Sequence, residues 1–271
     1  MELRSEISGA TRVFGVIADP ISQVKAPGAI NTLFAAHRED CVLVPFHVLP
    51  TGLGQLVDGL RGVQNLGGFV VTVPHKTAVV ELCDTVSETA RLVGAANVVT
   101  RTADGRLHAH NLDGEGFVAG LRLSHIDVTG MSVYLAGAGG AANAIAFALA
   151  AAGVRSLTLY NRTASKAQAM AERLRSAFPE LAVMQGNDNP AEHELVVNTT
   201  SLGMRADDPL PFDASQLEPG QTVAEIIMQP AETALLQVAR QRGCAIQYGV
   251  TMLEGQVDMI YQTLQGGSAA T

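Results

Sequence analysis

The chain has 271 residues, of which 47% are hydrophobic, and its formal net charge is −8. This length predicts two domains or one large α/β domain, and the hydrophobic share is enough for a full core. The negative charge argues against a nucleic-acid partner. The three cysteines are far apart in the sequence, so we expect reduced thiols and a cytoplasmic protein. The opening residues have no apolar stretch, so no targeting segment is expected.

The first half of the chain alternates predicted strands and helices. Strands are predicted at 13–18, 41–48 and 67–73, and helices at about 27–37 and 53–60. Pro74 ends the third strand, and another helix is predicted from Lys76. Residues 95–111 predict a β-hairpin that turns at Ala103-Asp104-Gly105. A helix over 112–123 follows.

The second half predicts a doubly wound sheet. Its strands are predicted at 132–135, 156–160, 194–198, 222–225 and 245–248, and helices separate most of them. A last helix, at 251–264, is predicted to fold back onto the first half of the chain. A ligand cleft is then expected between two domains, where such sites are common.

Residues 133–152 read VYLAGAGGAANAIAFALAAA, an apolar strand, a glycine turn and a helix of small residues. Gly137, Gly139 and Ala142 match the G-x-G-x-x-G/A dinucleotide fingerprint. Gly137 permits the tight turn, Gly139 lets a pyrophosphate approach the main chain, and Ala142 allows close packing of helix and strand. The N–H groups at the start of the helix then face an anion.

Two other interpretations of this segment are open. One is a glycine turn before a core helix. The other is a membrane span, since no charged residue occurs between Asp127 and Arg155, although the many Ala and Gly residues and the turn disfavour it. The strand at 156–160 follows the helix-ending Gly153, which favours a βαβ unit and the dinucleotide interpretation. The predicted cofactor contacts are Gly137, Ala138, Gly139, Gly140, Ala141, Thr199 and Gly249.

The segment after the second strand of this unit predicts NADP rather than NAD. NAD sites place an acidic residue there for the ribose hydroxyls, whereas this chain has Asn161, Arg162 and Thr163, with Lys166 one turn later. Arg162 can bind a 2′-phosphate through two hydrogen bonds, and Lys166 adds a positive charge. Ordinary surface cations are the alternative, but a basic residue at a helix N-terminus gains nothing from the helix dipole.

A nicotinamide-dependent alcohol dehydrogenase also needs a group that takes the alcohol proton. Lys76 is our candidate because it follows the predicted strand end at TVP, and Asp113 is the candidate that orients the same hydroxyl. Taken singly, Lys76 is more often a surface residue and Asp113 a helix cap. His75 is a weaker candidate base. His108 and His110 resemble a metal pair but lack a third ligand at a telling spacing, so no metal is predicted.

Several segments together resemble the shikimate dehydrogenase family over nearly the whole chain. They are FGVIADPISQVKAP, VTVPHK, LVGAANVV, HNLDGEG, LAGAGGAANA, NRTASKA, NTTSLGM and GVTMLEGQ, in the family's order and spacing. The resemblance implies a two-domain enzyme that oxidises a ring hydroxyl with NADP, with Lys76 and Asp113 at the family's catalytic pair. It also implies substrate contacts at Thr72, Asn97 and Gln256. We therefore expect a substrate-binding domain formed by 1–112 and 249–271 and a Rossmann domain at 113–248.

The chain departs from the family pattern around the expected substrate. The family's S-x-S motif, which binds the substrate carboxylate, is represented by Val24 and Ala26, and Val70, Leu112 and Met228 stand where the family has Asn, Thr and Tyr. Each lost hydrogen bond to a charged group costs about 1.5–3 kcal/mol. Two losses weaken binding of the shikimate transition state by roughly a hundredfold or more.

These observations predict an NADP-dependent enzyme of this type that acts on a ring hydroxyl or ketone and has poor activity on shikimate itself. Quinate or another cyclic alcohol is the alternative substrate, and a dinucleotide-binding sensor without catalysis is the alternative function. The expected partner is a small-molecule alcohol, without nucleic acid or membrane, and the protein is expected to be a monomer or a homodimer.

Overall fold

The structure is a computed structural model, and it describes residues 7–266. The chain forms two compact units. One contains the residues up to Leu112 and those from Val257 onward, and the other is Asp113–Gln256. The domain division from the sequence, whose outer ends lie outside the described residues, gives 249–256 to the first domain. In the structure these residues pack in the second unit, where Gly255 lies against the backbone of Gly116 and Gly120.

The first unit contains a six-stranded mixed sheet. Its strands are β1 Arg12–Ala18, β2 Cys41–His47, β3 Leu66–Val71, β4 Thr85–Val86, β5 Val98–Arg101 and β6 Leu107–His110. Its complete helices are α1 Ala26–Ala36, α2 Leu53–Arg61 and α3 Glu88–Val93. The strand order is β2-β1-β3-β5-β6-β4, and β5 runs antiparallel to both of its neighbours. The carboxyl ends of β1, β2, β3 and β6 therefore lie at the same edge of the sheet.

The predicted helix beginning at Lys76 is wrong. Residues 74–77 form a turn, and a single 3₁₀ segment follows at Ala78–Leu82. Val79 is the only buried residue of that segment. The segment is five residues long, and its Val79 and Val80 are β-branched, which disfavours extension into an α-helix.

The second unit contains a six-stranded parallel sheet. In chain order its elements are α4 Asp113–Leu123, β7 Ser132–Ala136, α5 Gly140–Ala151, β8 Ser156–Tyr160, α6 Ala164–Ala177, β9 Ala182–Gln185, β10 Leu195–Asn198, β11 Thr222–Glu225, α7 Ala234–Gln241, β12 Ala245–Gln247 and the part of α8 Val250–Leu264 up to Gln256. The strand order is β12-β11-β10-β7-β8-β9. The predicted doubly wound sheet is confirmed, and its winding reverses between β7 and β10.

The last helix, α8, continues into the first unit, as predicted. From Val257 onward it packs on that unit through Ile260 and Leu264, both buried in an apolar cluster with Phe14 and Phe34. The hydroxyl of Tyr261 donates a hydrogen bond to Glu39 Oε1 at 2.6 Å. In the part of the chain from 7 to 266, no helix is long and apolar enough to cross a membrane.

Candidate functional site

The turn between β7 and α5 has room for an anion at its backbone. Gly137 has a φ of +120°, and a Cβ atom there would lie 2.3 Å from Thr199 Oγ1, so only glycine fits. Gly139, the N-cap of α5, has extended backbone, and its Cβ position has no atom within 4 Å. Ala142 is fully buried against the sheet. The turn therefore has the close approach and open backbone that a dinucleotide pyrophosphate requires.

A side-chain link that the sequence analysis missed supports this turn. Asn143 Nδ2 donates to the carbonyl of Gly139 at 2.8 Å, and Arg173 of α6 donates to Asn143 Oδ1. The guanidinium carbon of Arg173 lies 5.9 Å from the centre of the Phe147 ring. The link fixes the first turn of α5 and adds a positive charge near it. The fingerprint gives no signal for it, because Arg173 belongs to the next helix.

The carboxyl end of β8 leads into a basic loop. Asn161 Nδ2 donates to the carbonyl of Thr163 at 2.9 Å, and the backbone N–H of Lys166 donates to the same oxygen at 3.0 Å. Arg162, Thr163 and Lys166 are exposed. No carboxylate occurs from 161 to 166, so this loop suits a 2′-phosphate better than a bare ribose.

The loops after β10 and β11 form the other half of the same sheet edge. Thr199 donates to the carbonyl of Ala136 through its N–H at 2.8 Å and through its hydroxyl at 2.6 Å. A Cβ atom on Gly249 would lie 2.2 Å from the carbonyl oxygen of Ile227, so the chain before α8 passes closely under the loop that carries Met228. Thr199 and Gly249, predicted cofactor positions, thus both lie at the carboxyl edge of this sheet.

A buried carboxyl group connects these two loops. Glu225, 1% exposed at the end of β11, accepts hydrogen bonds from Asn198 Nδ2 at 2.8 Å and from the Thr233 hydroxyl at 2.6 Å. Burial raises the pKa of Glu225, and the two hydrogen bonds act against that rise. The sequence analysis missed this group, since a glutamate at the end of an apolar strand is also typical of a solvent-facing terminus.

In the first unit, the segment after β3 holds Thr72 and Lys76 at the carboxyl edge. The N–H of Thr72 donates to the carbonyl of Ile17 at 3.0 Å, and the N–H of Ala96 donates to the carbonyl of Lys76 at 2.8 Å. His75 is 1% exposed, and its Nε2 donates to the carbonyl of Val48 at 2.7 Å. The His75 ring is therefore used in holding the loop, which disfavours it as a base.

Asn97, an expected substrate contact, lies next to the segment that precedes Asp113. Asn97 Oδ1 accepts from the N–H of Leu112 at 2.8 Å, and Asn111 Nδ2 donates to the carbonyl of Ala95 at 2.9 Å. Asn97, Asn111 and Leu112 are all buried. Asp113, also buried, follows as the first residue of α4. The two asparagines thus hold the hairpin ends together and fix where α4 begins.

The positions that depart from the family pattern share apolar surroundings. Val70 and Leu112 are buried in the apolar cluster that contains Phe14 and Ile260, and Val24 packs against that cluster. Ala26 is buried at the start of α1. These four side chains offer no hydrogen-bond donor or acceptor, so this part of the first unit cannot bind a carboxylate through them.

Gln256 lies in the second unit, where its Cβ is within 2.5 Å of the position that a Cβ on Gly116 would occupy. Lys76 belongs to the first unit and Asp113 to the second, so their catalytic pairing stays a prediction. The rings of His108 and His110 lie 4.4 Å apart, and residues 7–266 contain no group of three or more His, Cys, Asp or Glu side chains that could hold a metal.

The parallel sheet with its glycine turn and basic loop defines an oxidoreductase that binds a nicotinamide dinucleotide. The chain matches the family models "Shikimate dehydrogenase substrate binding domain" over residues 16–99 and "Shikimate / quinate 5-dehydrogenase" over 121–202. It is 38% identical to a shikimate dehydrogenase (NADP(+)) of Rubrobacter xylanophilus, over 98% of this chain and 92% of that protein. The chain belongs to the shikimate dehydrogenase family.

Two solved structures show the same fold. Shikimate 5-dehydrogenase of Listeria monocytogenes, in complex with shikimate and NAD, has a TM-score of 0.88 and 30% identity, covering 98% of this chain and 96% of that one. Ligand-free 5-ketofructose reductase of Gluconobacter sp. has a TM-score of 0.83 and 30% identity, covering 95% and 94%. The predicted family, fold class and NADP cofactor are confirmed.

Proposed function

We propose that this protein uses NADP to interconvert a secondary hydroxyl and a ketone on a cyclic substrate that carries no carboxylate. The observation that carries the proposal is the shared apolar environment of Val24, Val70 and Leu112. A carboxylate placed against such side chains loses its water without gaining hydrogen bonds, which is costly for a charge. A neutral ring has no such penalty.

The remaining polar residues fit the chemistry of a neutral alcohol. Lys76 is proposed to take the proton from the substrate oxygen during oxidation and to return it during reduction. Asp113 is proposed to accept a hydrogen bond from the same hydroxyl, and Thr72, Asn97 and Gln256 to bind further ring oxygens. When bound, the nicotinamide accepts or supplies the hydride.

One structural relative supports a substrate of this kind. The Gluconobacter protein is a reductase of 5-ketofructose, a sugar that has carbonyl and hydroxyl groups and no acidic group. The Listeria monocytogenes relative, at the same identity, is in complex with shikimate, so this fold occurs with both classes of substrate. The apolar cluster in the first unit favours the neutral class for this chain.

The loop after β8 supports the preference for NADP. Arg162 and Lys166 are exposed beside Asn161 and Thr163, with no carboxylate to repel a 2′-phosphate. A carboxylate there would instead bind the ribose hydroxyls of NAD. We therefore propose that Arg162 and Lys166 give this protein its preference for NADP over NAD.

The direct test compares shikimate with methyl shikimate, which has the same ring without the charge. Reduction of NADP+ is followed at 340 nm, and the panel also includes quinate and neutral cyclic polyols, with 5-ketofructose assayed by NADPH oxidation. We expect kcat/KM for methyl shikimate to equal or exceed that for shikimate. A tenfold preference for shikimate would overturn the substrate proposal.

The catalytic role of Lys76 is tested with the variant Lys76→Ala. Loss of a positioned general base lowers the rate by about 10²- to 10⁴-fold, whereas binding of NADP+ is expected to remain. If the variant kept the turnover rate of the unmodified protein, Lys76 would not be the general base. Tight NADP+ binding with no turnover on the whole panel would instead identify a dinucleotide-binding sensor.

A further inference from the structure

Glu225 is a buried carboxyl group that the proposed mechanism does not use. We propose that it is a positioning residue, which holds the two loops that bind the nicotinamide half of the cofactor. The proposal rests on NADP binding to the second unit and is independent of which alcohol is the substrate. Its support is the position of β11 in the sheet and the hydrogen bonds of the carboxyl group.

The strand order indicates where each half of the dinucleotide lies. In doubly wound sheets a dinucleotide crosses the carboxyl edge at the point where the winding reverses, which here is between β7 and β10. The glycine turn follows β7, and the basic loop for the adenosine phosphate follows β8, on one side of that point. The nicotinamide half therefore extends to the other side, over the carboxyl ends of β10 and β11.

Through Asn198, the carboxyl group of Glu225 fixes the loop after β10. Asn198 Nδ2 donates to Glu225 at 2.8 Å and to the carbonyl of Leu202 at 3.2 Å. Asn198 Oδ1 accepts from the N–H and the hydroxyl of Thr200 at 3.0 and 2.7 Å. The orientation of this one amide thus sets the path of 199–202, and Glu225 determines that orientation because it accepts only from the NH₂ group.

Through Thr233, the same carboxyl group fixes the loop after β11. The Thr233 hydroxyl donates to Glu225 at 2.6 Å and accepts from the N–H of Leu236 at 3.3 Å, where Thr233 is the N-cap of α7. Gly203 packs between the loops, since a Cβ on it would lie 3.3 Å from Ile227 Cδ1 and 3.4 Å from Thr233 Cβ. Glu225 is therefore the shared acceptor for both loops.

An ionised carboxylate suits this position because it has acceptors only. Two donors, one from each loop, converge on its two oxygens, and both of these side chains are buried. Removal of the carboxylate would leave one amide N–H of Asn198 and the Thr233 hydroxyl without this acceptor in a buried place, which a chain relieves by moving the loops. We expect such movement to disturb the nicotinamide half and leave the basic loop after β8 in place.

The test measures two ligands on the same variants. Dissociation constants are determined for NADP+ and for 2′,5′-ADP, which contains only the adenosine-phosphate half. For Glu225→Ala we expect the affinity for NADP+ to fall at least tenfold, while that for 2′,5′-ADP stays within twofold. Equal losses for both ligands, or no loss for either, would overturn the proposal. Because the readout is binding, failure of the substrate proposal leaves this result unaffected.

Milder variants keep the test decisive should Glu225→Ala fail to fold. Glu225→Gln keeps one acceptor oxygen, and Thr233→Val removes one donor without changing the shape of the side chain. We expect both variants to weaken NADP+ binding three- to tenfold and to leave the affinity for 2′,5′-ADP unchanged.

Glu194→Ala is the matched control, because Glu194 accepts from the Ser132 N–H at the amino end of β7, the opposite edge of the same sheet. If Glu194→Ala reproduced the selective loss, the effect would belong to the sheet in general and the proposal would fail.

Discussion

The side-chain oxygen of Asn97 accepts a hydrogen bond from the backbone N–H of Leu112 at 2.8 Å. The bond connects the start of β5 to the segment that follows β6, and both partners are buried. Asn97 therefore has a structural task in the first unit in addition to its proposed contact with substrate.

Asn97→Ala is expected to lower the free energy of unfolding by about 1–3 kcal/mol, since it leaves the buried N–H of Leu112 without this acceptor. Asn189→Ala is the control, because Asn189 also accepts from a backbone N–H, that of Ala191, but in an exposed loop. Denaturant unfolding of both variants measures the difference. An equal, small effect at the two positions would contradict the structural role of Asn97.

Restoring serines at the S-x-S positions should create activity towards shikimate. For the double change Val24→Ser and Ala26→Ser, two new hydrogen bonds to the carboxylate, each worth about 1.5–3 kcal/mol, predict a rise in kcat/KM of at least tenfold. Activity on methyl shikimate should change little. Ala36→Ser, on the exposed end of α1, controls for added hydroxyl groups. An unchanged ratio of shikimate to methyl shikimate activity would refute the prediction.

Two glycine substitutions should separate cofactor binding from stability. Gly139→Ala adds a methyl group where no atom lies within 4 Å; we expect the unfolding midpoint to stay constant and NADP+ affinity to fall about tenfold, since the pyrophosphate needs that space. Gly114→Ala puts a methyl group 2.1 Å from the carbonyl oxygen of Ala144, and such overpacking costs about 1–3 kcal/mol. Thermal unfolding and titration with NADP+ measure both. If Gly139→Ala were stable and still bound NADP+ tightly, the turn would not be part of the cofactor site.

Arg162→Ala should reduce the preference for NADP+ over NAD+. Loss of a charge-assisted hydrogen bond of about 1.5–3 kcal/mol corresponds to a ten- to hundredfold weaker NADP+ complex, whereas NAD+ has no 2′-phosphate to lose. Arg155→Ala is the control. Arg155 lies before β8, at the other end of the strand, and pairs with Glu194 on the surface at 3.1 Å. Tighter binding of NAD+ than of NADP+ to the unmodified protein would overturn the cofactor preference.

His110 should make the protein less stable in mild acid. Burial, and to a smaller degree His108 nearby, lowers the pKa of His110 from 6.5 to about 4. Between these values the unfolded chain binds a proton that the folded protein does not, so the free energy of unfolding falls as the pH decreases from 6.5 to about 4. Above pH 6.5 the contribution of neutral His110 to the free energy of unfolding is fully present.

His110→Gln should flatten that pH dependence, as measured by denaturant unfolding at pH 7, 5.5 and 4.5. His125→Asn is the control, since His125 is exposed and has a φ of +60° that asparagine tolerates. Parallel pH curves for the unmodified protein and His110→Gln would show that this histidine has no part in acid sensitivity.

The parts of the fold that could be predicted are those with strong local signals. The apolar strand, positive-φ glycine and small-residue helix around Gly137 are recognisable because each step restricts the backbone within a few residues. The short helix α3 was missed although Ser87 caps it and Gly94 ends it with a φ of +73°. Strand β9 was missed because it is four residues long with a single buried residue, Val183, and its sequence AVMQ does not alternate apolar and polar residues.

The amino-acid sequence by itself determined the dinucleotide turn, the basic loop at Arg162 and the loss of the serines at 24 and 26, since these depend on residue type and short-range order. The tertiary structure decided that Val24, Val70 and Leu112, far apart in the chain, meet in one apolar cluster. It also decided that Glu225 joins the loops at Asn198 and Thr233. Burial and hydrogen bonding between distant segments arise only when the strands are ordered in their sheets, because that order brings their carboxyl ends to a common edge.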